Sequence, residues 1–188
     1  MFTVLFNVSV FGWVLVEVLM QVRQYRMGAR AVRTEWRSAG VIAVAFAVGE
    51  ALDAIAATTV HGADFGGGSA ELAVALLVLW AGVALRLWAI RVLGRFFRGV
   101  VHIQQDHQVV RDGPYRVLRH PAYTGGLVAV FGLALASDNL LSVVALFGCV
   151  LAGVLYRIRV EERVLVSALG EAYTGYAATT FRLVPGVW

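Results

Sequence analysis

Lysine is absent from this chain of 188 residues, and cysteine occurs only once, as Cys149. A single cysteine can form neither an internal disulfide nor a metal site with several thiolates. Because lysine is missing, all 16 basic residues are arginine, a bias that reflects composition more than chemistry. The sequence also lacks internal repeats and low-complexity segments, so we expect neither a solenoid nor a disordered tract.

Charge is scarce as well. Only 15% of the residues are charged, whereas 60% are hydrophobic, and the mean hydropathy is +0.76. The hydrophobic fraction is higher than a soluble protein needs for its core, and it indicates a protein that lies in a lipid bilayer. The net charge of +4 does not indicate a nucleic-acid partner, because the arginines lie in short loops between apolar runs. We therefore expect one membrane domain over residues 1–188.

The hydropathy pattern predicts an all-α integral membrane protein with about five transmembrane helices. A helix needs about 20 apolar residues to cross the hydrocarbon. The predicted spans cover residues 2–20, 39–60, 70–90, 121–136 and 139–156. The last two are shorter and form a helical hairpin, because Ser137-Asp138-Asn139 interrupts one apolar stretch.

The distribution of arginine predicts the orientation of these spans. Residues 21–38, 91–120 and 157–188 are rich in arginine, whereas residues 61–69 and the hairpin tip contain none. Because arginine-rich loops stay in the cytoplasm, the N-terminus is predicted outside and the C-terminus inside, in a bacterial inner membrane. The first apolar run lacks a basic start, so it is interpreted as a retained span and residue 1 as the mature start.

Ionisable residues within the predicted spans, among them Glu17, Glu50, Asp53 and Arg86, each cost about 2.5 to 3.5 kcal/mol on insertion scales and need a partner or water. Glu17 and Arg86 lie near the cytoplasmic ends of their helices, at similar depth, and we predict an ion pair between them. Glu50 and Asp53 share a helix face in the middle to outer half of their span. For these two, helix packing is favoured over catalysis.

The segment from His107 to Gly125 is polar, forms turns and runs directly into a membrane helix. Pro121 suits the first turn of that helix, which places His120 near the N-cap. Free N–H groups and the positive end of the helix dipole suit a carboxylate there, and Arg119 could add a charge-assisted hydrogen bond. An equally weighted alternative makes Arg119 and His120 interfacial anchors that meet lipid headgroups.

A second polar group continues the last span into the cytoplasm with Arg157, Glu161 and Glu162. Adjacent residues point about 100° apart on a helix, so at most one glutamate faces a given pocket. The other could pair with Arg157, Arg159 or Arg163. The alternative is a solvated helix with i, i+4 ion pairs.

In this order the motifs resemble the isoprenylcysteine carboxyl methyltransferases, which share this region with phospholipid N-methyltransferases. The resemblance covers roughly the C-terminal 100 residues. The matching motifs are Leu93-Gly94-Arg95-Phe96-Phe97, Gly113-Pro114-Tyr115, Arg119-His120-Pro121-Ala122-Tyr123-Thr124-Gly125, Glu161-Glu162, Gly170-Glu171-Ala172-Tyr173 with Tyr176, and Arg182-Leu183-Val184-Pro185-Gly186. The family fold implies a small helical membrane bundle whose cytoplasmic loop and C-terminal segment, here residues 91–125 and 157–188, hold S-adenosylmethionine.

The resemblance also implies roles for individual residues. It makes Arg157, Glu161 and Glu162 the catalytic candidates, with Arg157 orienting an acceptor carboxylate and one glutamate near the cofactor. The implied cofactor contacts are His107, Val110, Tyr115, Arg119, His120, Pro121, Tyr123 and Gly125. No metal is implied. Positioning would carry most of the catalysis, because an ionised carboxylate needs no general base.

The acceptor is less defined, because the first two helices match no motif of the family. The implied partners are a lipophilic small-molecule or prenyl-type substrate and membrane lipid. One alternative is an amine acceptor, as in phospholipid methylation, with His107 or Glu162 as the base. Another is a non-catalytic membrane protein that retains the fold. A sterol reductase is disfavoured, because five spans are few to hold both a nicotinamide cofactor and a sterol.

Overall fold

The computed structural model describes residues 2–26, 31–97, 101–104 and 108–187. These ranges contain six α-helices and two short strands. They are α1 (Phe2–Arg26), β1 (Ala31–Glu35), α2 (Arg37–Thr59), α3 (Gly68–Leu93), β2 (Val101–Gln104), α4 (Pro121–Leu135), α5 (Leu140–Leu169) and α6 (Glu171–Ala177). Single 3-10 turns lie at His61–Ala63, Gly94–Phe96 and Gly113–Arg116.

Helices stand at all five positions where the sequence predicts a span, and the protein is an integral membrane protein. Within the described residues, three helices are long and apolar enough to cross a membrane: α2, α3 with its following turn, and α5. The apolar part of α1, Val4–Met20, and the helix α4 are shorter. The short α4 begins beside Arg86 of α3, which continues to Leu93, so the start of α4 is recessed within the bundle.

The last long helix continues beyond residue 156, where the predicted span ends, and reaches Leu169. Asn139 caps α5 by accepting hydrogen bonds from the backbone N–H groups of Leu141 and Ser142 at 3.0 and 3.2 Å. The helix ends at Gly170, whose φ of 52° favours glycine. Its 30 residues measure about 45 Å, whereas the hydrocarbon is about 30 Å thick. The C-terminal part of α5, with Glu161 and Glu162, therefore projects beyond the apolar layer.

The five long helices pack in the order α1, α3, α4, α5, α2, so α1 and α2 are the edge helices. The main core lies where α3, α4 and α5 meet and includes Leu79, Val130, Leu146 and Ile158. Many apolar side chains of α1 and α2 are exposed, as membrane-facing side chains are. This arrangement gives the edge helices α1 and α2 many side chains that face lipid.

Backbone contacts show which loops share an end of the bundle. At one end, β1 and β2 pair antiparallel, joining the loop before α2 to the connection after α3. At the other end, the backbone N–H of Phe65 and that of Gly66 bond to Asp138. The arginine-rich loops thus share one end, as the sequence predicts. The strand pair itself departs from the all-α prediction, although the alternation in residues 101–104 is typical of a strand.

The predicted ion pair between Glu17 and Arg86 is confirmed. Arg86 donates from Nε and Nη2 to the two carboxylate oxygens of Glu17, with Nη2 to Oε2 at 2.9 Å. Its Nη1 donates to the backbone carbonyl of Ala122 at 2.9 Å. Arg86 therefore ties α1 to the first turn of α4.

The packing role favoured for Asp53 is also confirmed. Its Oδ1 accepts a hydrogen bond from the Ser137 hydroxyl at 2.6 Å, and its backbone carbonyl accepts one from the Ser142 hydroxyl at 3.0 Å. Asp53 thus joins α2 to the hairpin between α4 and α5. The Oε1 atom of Glu50 is buried and bonds to none of the described residues.

Candidate functional site

The two polar segments singled out in the sequence meet at the recessed start of α4. Leu118 and Phe181 form a parallel bridge. The backbone N–H of Arg119 donates to the carbonyl of Phe181 at 2.7 Å, and that of His120 donates to Arg182 at 3.1 Å. The C-terminal segment is therefore hydrogen-bonded along the loop that leads into α4.

Glu162 of α5 is the centre of an ionic cluster that joins the same two segments. Its Oε1 accepts from Arg119 Nε and its Oε2 from Arg182 Nε, both at 2.9 Å. The His120 Nε2 atom lies 3.4 Å from Oε1. Glu162 thus pairs with arginines of the loop and the tail. The sequence predicted that one glutamate could face a pocket while the other pairs with Arg157, Arg159 or Arg163, and Glu162 is the one that points into the bundle.

Arg119 has further structural contacts. Its Nη1 donates to the backbone carbonyl of Ala177, the last residue of α6, at 2.7 Å. The same atom donates to the backbone carbonyl of Thr180, three residues later. Its side chain is only 9% exposed. The guanidinium therefore holds the C-terminal segment in place, and a direct contact with a cofactor stays a prediction.

The pKa of Glu162 is strongly depressed. Burial raises it, but His120, Arg182 and Arg119 outweigh burial and lower it from 4.5 to about 2. A carboxylate that is more acidic in the folded protein than in the unfolded chain stabilises the fold where it is ionised. This contribution is complete above about pH 4.5 and is lost as the pH falls towards 2.

We expect acidification from pH 5 to pH 2.5 to lower the free energy of unfolding in detergent by about 2 kcal/mol through Glu162. The figure allows for solvent screening at Arg182, whose side chain is 36% exposed. Chemical unfolding at each pH measures it, and the Glu162→Gln variant should show a correspondingly smaller loss. An equal loss in both proteins would contradict the assignment.

Glu161, the neighbouring glutamate, faces a different group. Its Oε2 accepts a hydrogen bond from the Tyr123 hydroxyl at 2.7 Å, and that hydroxyl accepts one from Arg157 Nε. Arg157 is only 3% exposed and also donates from Nη1 towards the Ser38 hydroxyl at 3.5 Å. The buried guanidinium of Arg157 is thus linked to the Glu161 carboxylate through the Tyr123 hydroxyl, beside the Glu162 cluster.

Two tyrosines of α6 complete the surroundings. The Tyr176 hydroxyl donates to the carbonyls of Tyr115 and Leu118, at 2.8 and 3.2 Å, and burial raises its pKa to about 12. Burial, with the charges of Glu162 and Glu161, also raises the pKa of Tyr173. The Tyr173 hydroxyl is buried and bonds to none of the described groups. Both phenols remain protonated at neutral pH and can act as donors.

Four other predicted cofactor contacts lie in the loop before α4 or in the first two turns of that helix. Tyr115 and Val110 pack together in an apolar cluster, and Pro121 is fully buried. Gly125 lies at the crossing of α3 and α4. His107 lies outside the described residues. Cofactor contact by each of them stays a prediction.

The position of Gly125 leads to a prediction about stability. A Cβ atom there would lie 2.5 Å from the backbone N of Arg86 and 2.7 Å from the carbonyl of Gly82. We expect Gly125→Ala to separate α3 from α4 and to cost about 1 to 3 kcal/mol, measured by unfolding in detergent. Gly126→Ala is the matched control, since its nearest atom is Arg86 Nη1 at 3.5 Å. Equal stability of the two variants would contradict the close approach.

Sequence reasoning missed several residues that the structure brings to the site. Ser38 carried no motif, and Arg182 was quoted only as part of the ending. Tyr173 and Tyr176 were quoted as motif members without a role. Two features of the sequence could have indicated these residues. Arg182 is a lone arginine in an apolar tail, and Tyr173 and Tyr176 are aromatic residues three apart on a short helix.

Comparison with known proteins gives the family. The family model described as phospholipid methyltransferase matches residues 70–172, more than half of the chain. This range contains α3, α4, α5, the loop between α3 and α4, and Glu161 and Glu162. The resemblance drawn from the motifs therefore falls on the helices that build the site.

Characterised relatives point the same way. Protein-S-isoprenylcysteine O-methyltransferase B of Arabidopsis thaliana is 32% identical over 114 residues, which are 60% of this chain and 58% of that protein. The Schizosaccharomyces pombe protein-S-isoprenylcysteine O-methyltransferase is 36% identical over 105 residues, or 54% and 44%. The chain thus spans less than two thirds of the length of these relatives.

A solved structure supports the fold. The eukaryotic intramembrane Ras methyltransferase, an isoprenylcysteine carboxyl methyltransferase, superposes with a TM-score of 0.56 at 24% identity. The match covers 77% of this chain and 52% of that one. Together with the motifs, these matches confirm the likeness to isoprenylcysteine methyltransferases, and the chain belongs to the phospholipid methyltransferase family.

Proposed function

We propose that this chain is a membrane enzyme that transfers the methyl group of S-adenosylmethionine to the carboxylate of a lipophilic, isoprenylcysteine-like acceptor. The observation that carries the proposal is the buried array in which Tyr123 links Arg157 to Glu161, next to the Glu162 cluster. The family and the names of the relatives support the type of reaction.

The residues at the site fit such a cofactor. S-adenosylmethionine supplies, when bound, an electrophilic methyl group on a sulfonium. The Tyr173 hydroxyl is buried and forms no hydrogen bond with the described residues, whereas His120 Nε2 lies 3.4 Å from Glu162 Oε1. Buried polar groups are rarely left unpaired, so the Tyr173 hydroxyl suits a polar part of a ligand. The residues proposed to hold the cofactor are His107, Val110, Tyr115, Arg119, His120, Pro121, Tyr123 and Gly125, with Tyr173 added.

Arg157 is the residue proposed to orient the acceptor. A planar guanidinium matches a carboxylate with two parallel donors, and at 3% exposure its charge is little screened by water. Because an ionised carboxylate already has a lone pair, the site needs no general base for this reaction. The chain's own contribution is to orient the acceptor and exclude water.

Charge balance favours the same assignment. Arg157 and Glu161 carry opposite charges and share the Tyr123 hydroxyl. A carboxylate beside Arg157 and a cation beside Glu161 would each meet a side chain of opposite charge and together add no net charge to the site. When those ligand charges cancel on methyl transfer, the arginine and the glutamate still balance each other, so products are not held by a residual charge.

An amine acceptor, as in phospholipid methylation, would need a base. Glu162 suits that role poorly, since His120, Arg182 and Arg119 hold its pKa near 2. His107 stays the candidate base for that alternative. The proposed location is a bacterial inner membrane with the C-terminus in the cytoplasm, because the end of the bundle that carries the site also carries most of the arginines.

Calorimetric titration of the purified protein in detergent with S-adenosylmethionine tests cofactor binding directly. We expect a micromolar Kd, with Tyr173→Phe weakening it about tenfold because only the unpaired hydroxyl is lost. Tyr156→Phe is the matched control, since Tyr156 is 42% exposed. Absence of binding at millimolar concentration would contradict the proposed function and favour a non-catalytic protein that retains the fold.

A further inference from the structure

Ser38 is a buried hydroxyl in a helix that matches no family motif. It lies in the first turn of α2 and is fully buried. The Nη1 atom of Arg157 lies 3.5 Å from its Oγ, at the long limit of a hydrogen bond. Polar side chains at such a position are usually present because they satisfy a buried group.

The packing of α2 against α5 explains how Ser38 reaches Arg157. A Cβ atom on Gly153 would lie 2.9 Å from Ala45 Cβ and 3.5 Å from Ile42 Cα. The face of α2 that meets α5 carries Ser38, Ile42, Ala45 and Gly49, spaced at three- and four-residue intervals. Gly153 lies one turn before Arg157 on α5. Because Gly153 has no side chain, α2 can pack closely against α5 at this point, and Ser38 comes within reach of Arg157.

We propose that Ser38 is a positioning residue for the acceptor, acting through Arg157, and that α2 forms one wall of the acceptor site. The Tyr123 hydroxyl fixes Arg157 at Nε, and Ser38 fixes it at Nη1. Two anchors on different nitrogens define the plane of the guanidinium and hence the direction in which it meets a carboxylate. This proposal rests on the proposed function, because it gives Arg157 an acceptor to orient.

The experiment compares three variants in nanodiscs, with N-acetyl-S-farnesylcysteine as the acceptor probe. We expect Ser38→Ala to raise the KM for the probe about tenfold, with kcat changed less than twofold and the Kd for S-adenosylmethionine unchanged. Gly153→Ala should act in the same direction, because its methyl group moves α2 away while the hydroxyl remains. Gly148→Ala is the matched control on α5, where a Cβ would meet nothing within 4 Å.

A second readout does not depend on activity. The Nε resonance of Arg157 in arginine-labelled protein, assigned by its loss in Arg157→Ala, should shift in Ser38→Ala and stay unchanged in Gly148→Ala. An unchanged resonance together with an unchanged KM would overturn the positioning role. If wild-type protein fails to methylate the probe while the resonance still shifts, the proposed function fails, and with it the acceptor role of Ser38, although the contact with Arg157 stands.

Discussion

Arg157→Ala is expected to lower kcat/KM for methyl transfer about 1,000-fold while the Kd for S-adenosylmethionine changes less than threefold. Arg157 is 3% exposed, so a guanidinium little screened by water is lost from beside the proposed acceptor carboxylate. Most of the cofactor contacts proposed above come from the loop, the start of α4 and α6, and Tyr123, which loses its bond from Arg157, keeps its bond to Glu161. Steady-state kinetics and calorimetric titration of the same preparation give the two numbers.

Arg159→Ala provides the matched control for this change. Arg159 lies two residues further along α5, is exposed, and uses its carbonyl to accept from Arg163 Nε. Its replacement should leave kcat/KM and the Kd for S-adenosylmethionine within twofold of the wild-type values. Loss of cofactor binding in Arg157→Ala, with normal binding in Arg159→Ala, would reverse the roles assigned to the arginine and the glutamates.

Glu162→Gln is expected to reduce the free energy of unfolding by about 3 kcal/mol and to weaken cofactor binding at least tenfold. Neutralising Glu162 removes the carboxylate to which Arg119, with its side chain 9% exposed, and Arg182 both bind. Because Arg119 also holds the carbonyls of Ala177 and Thr180, the C-terminal segment should loosen from the start of α4. Denaturant unfolding in detergent and calorimetric titration measure the two effects.

The control for Glu162→Gln is Glu171→Gln. Glu171 is the exposed first residue of α6, so the same change there should cost less than 0.5 kcal/mol. Retained stability in Glu162→Gln with lost turnover would instead make Glu162 a direct participant in catalysis, as the resemblance first implied.

The helices could be predicted from the sequence because the bilayer imposes a simple rule. Apolar runs of sufficient length gave the five long helices, and the alternation of arginine gave the loops that share an end. The pairing of Glu17 with Arg86 also followed from depth, since a charge within a span needs a partner. The point at which α5 ends, Leu169, was not predicted, because a helix that leaves the membrane no longer carries an apolar signal.

The residues of the site were recovered only in part. Motif order identified His120, Glu161 and Glu162, but it could not say that Glu162 binds Arg119 and Arg182 while Glu161 faces Tyr123. That division depends on how α5 is rotated against α4, which no local pattern encodes. Ser38 was not recoverable, because its role depends on the close approach of α2 at Gly153, far away in sequence.

Transfer of labelled methyl from S-adenosylmethionine to N-acetyl-S-farnesylcysteine by the purified protein tests the central claim most directly. A carboxyl methyl ester is hydrolysed by base, whereas an N-methyl group is stable, so alkaline treatment of the product distinguishes the two acceptors. The account predicts label that is released as methanol on alkaline treatment, is lost in Arg157→Ala and is retained in Arg159→Ala. Label that remains on an amine of phosphatidylethanolamine, with none on the prenylcysteine, would contradict it.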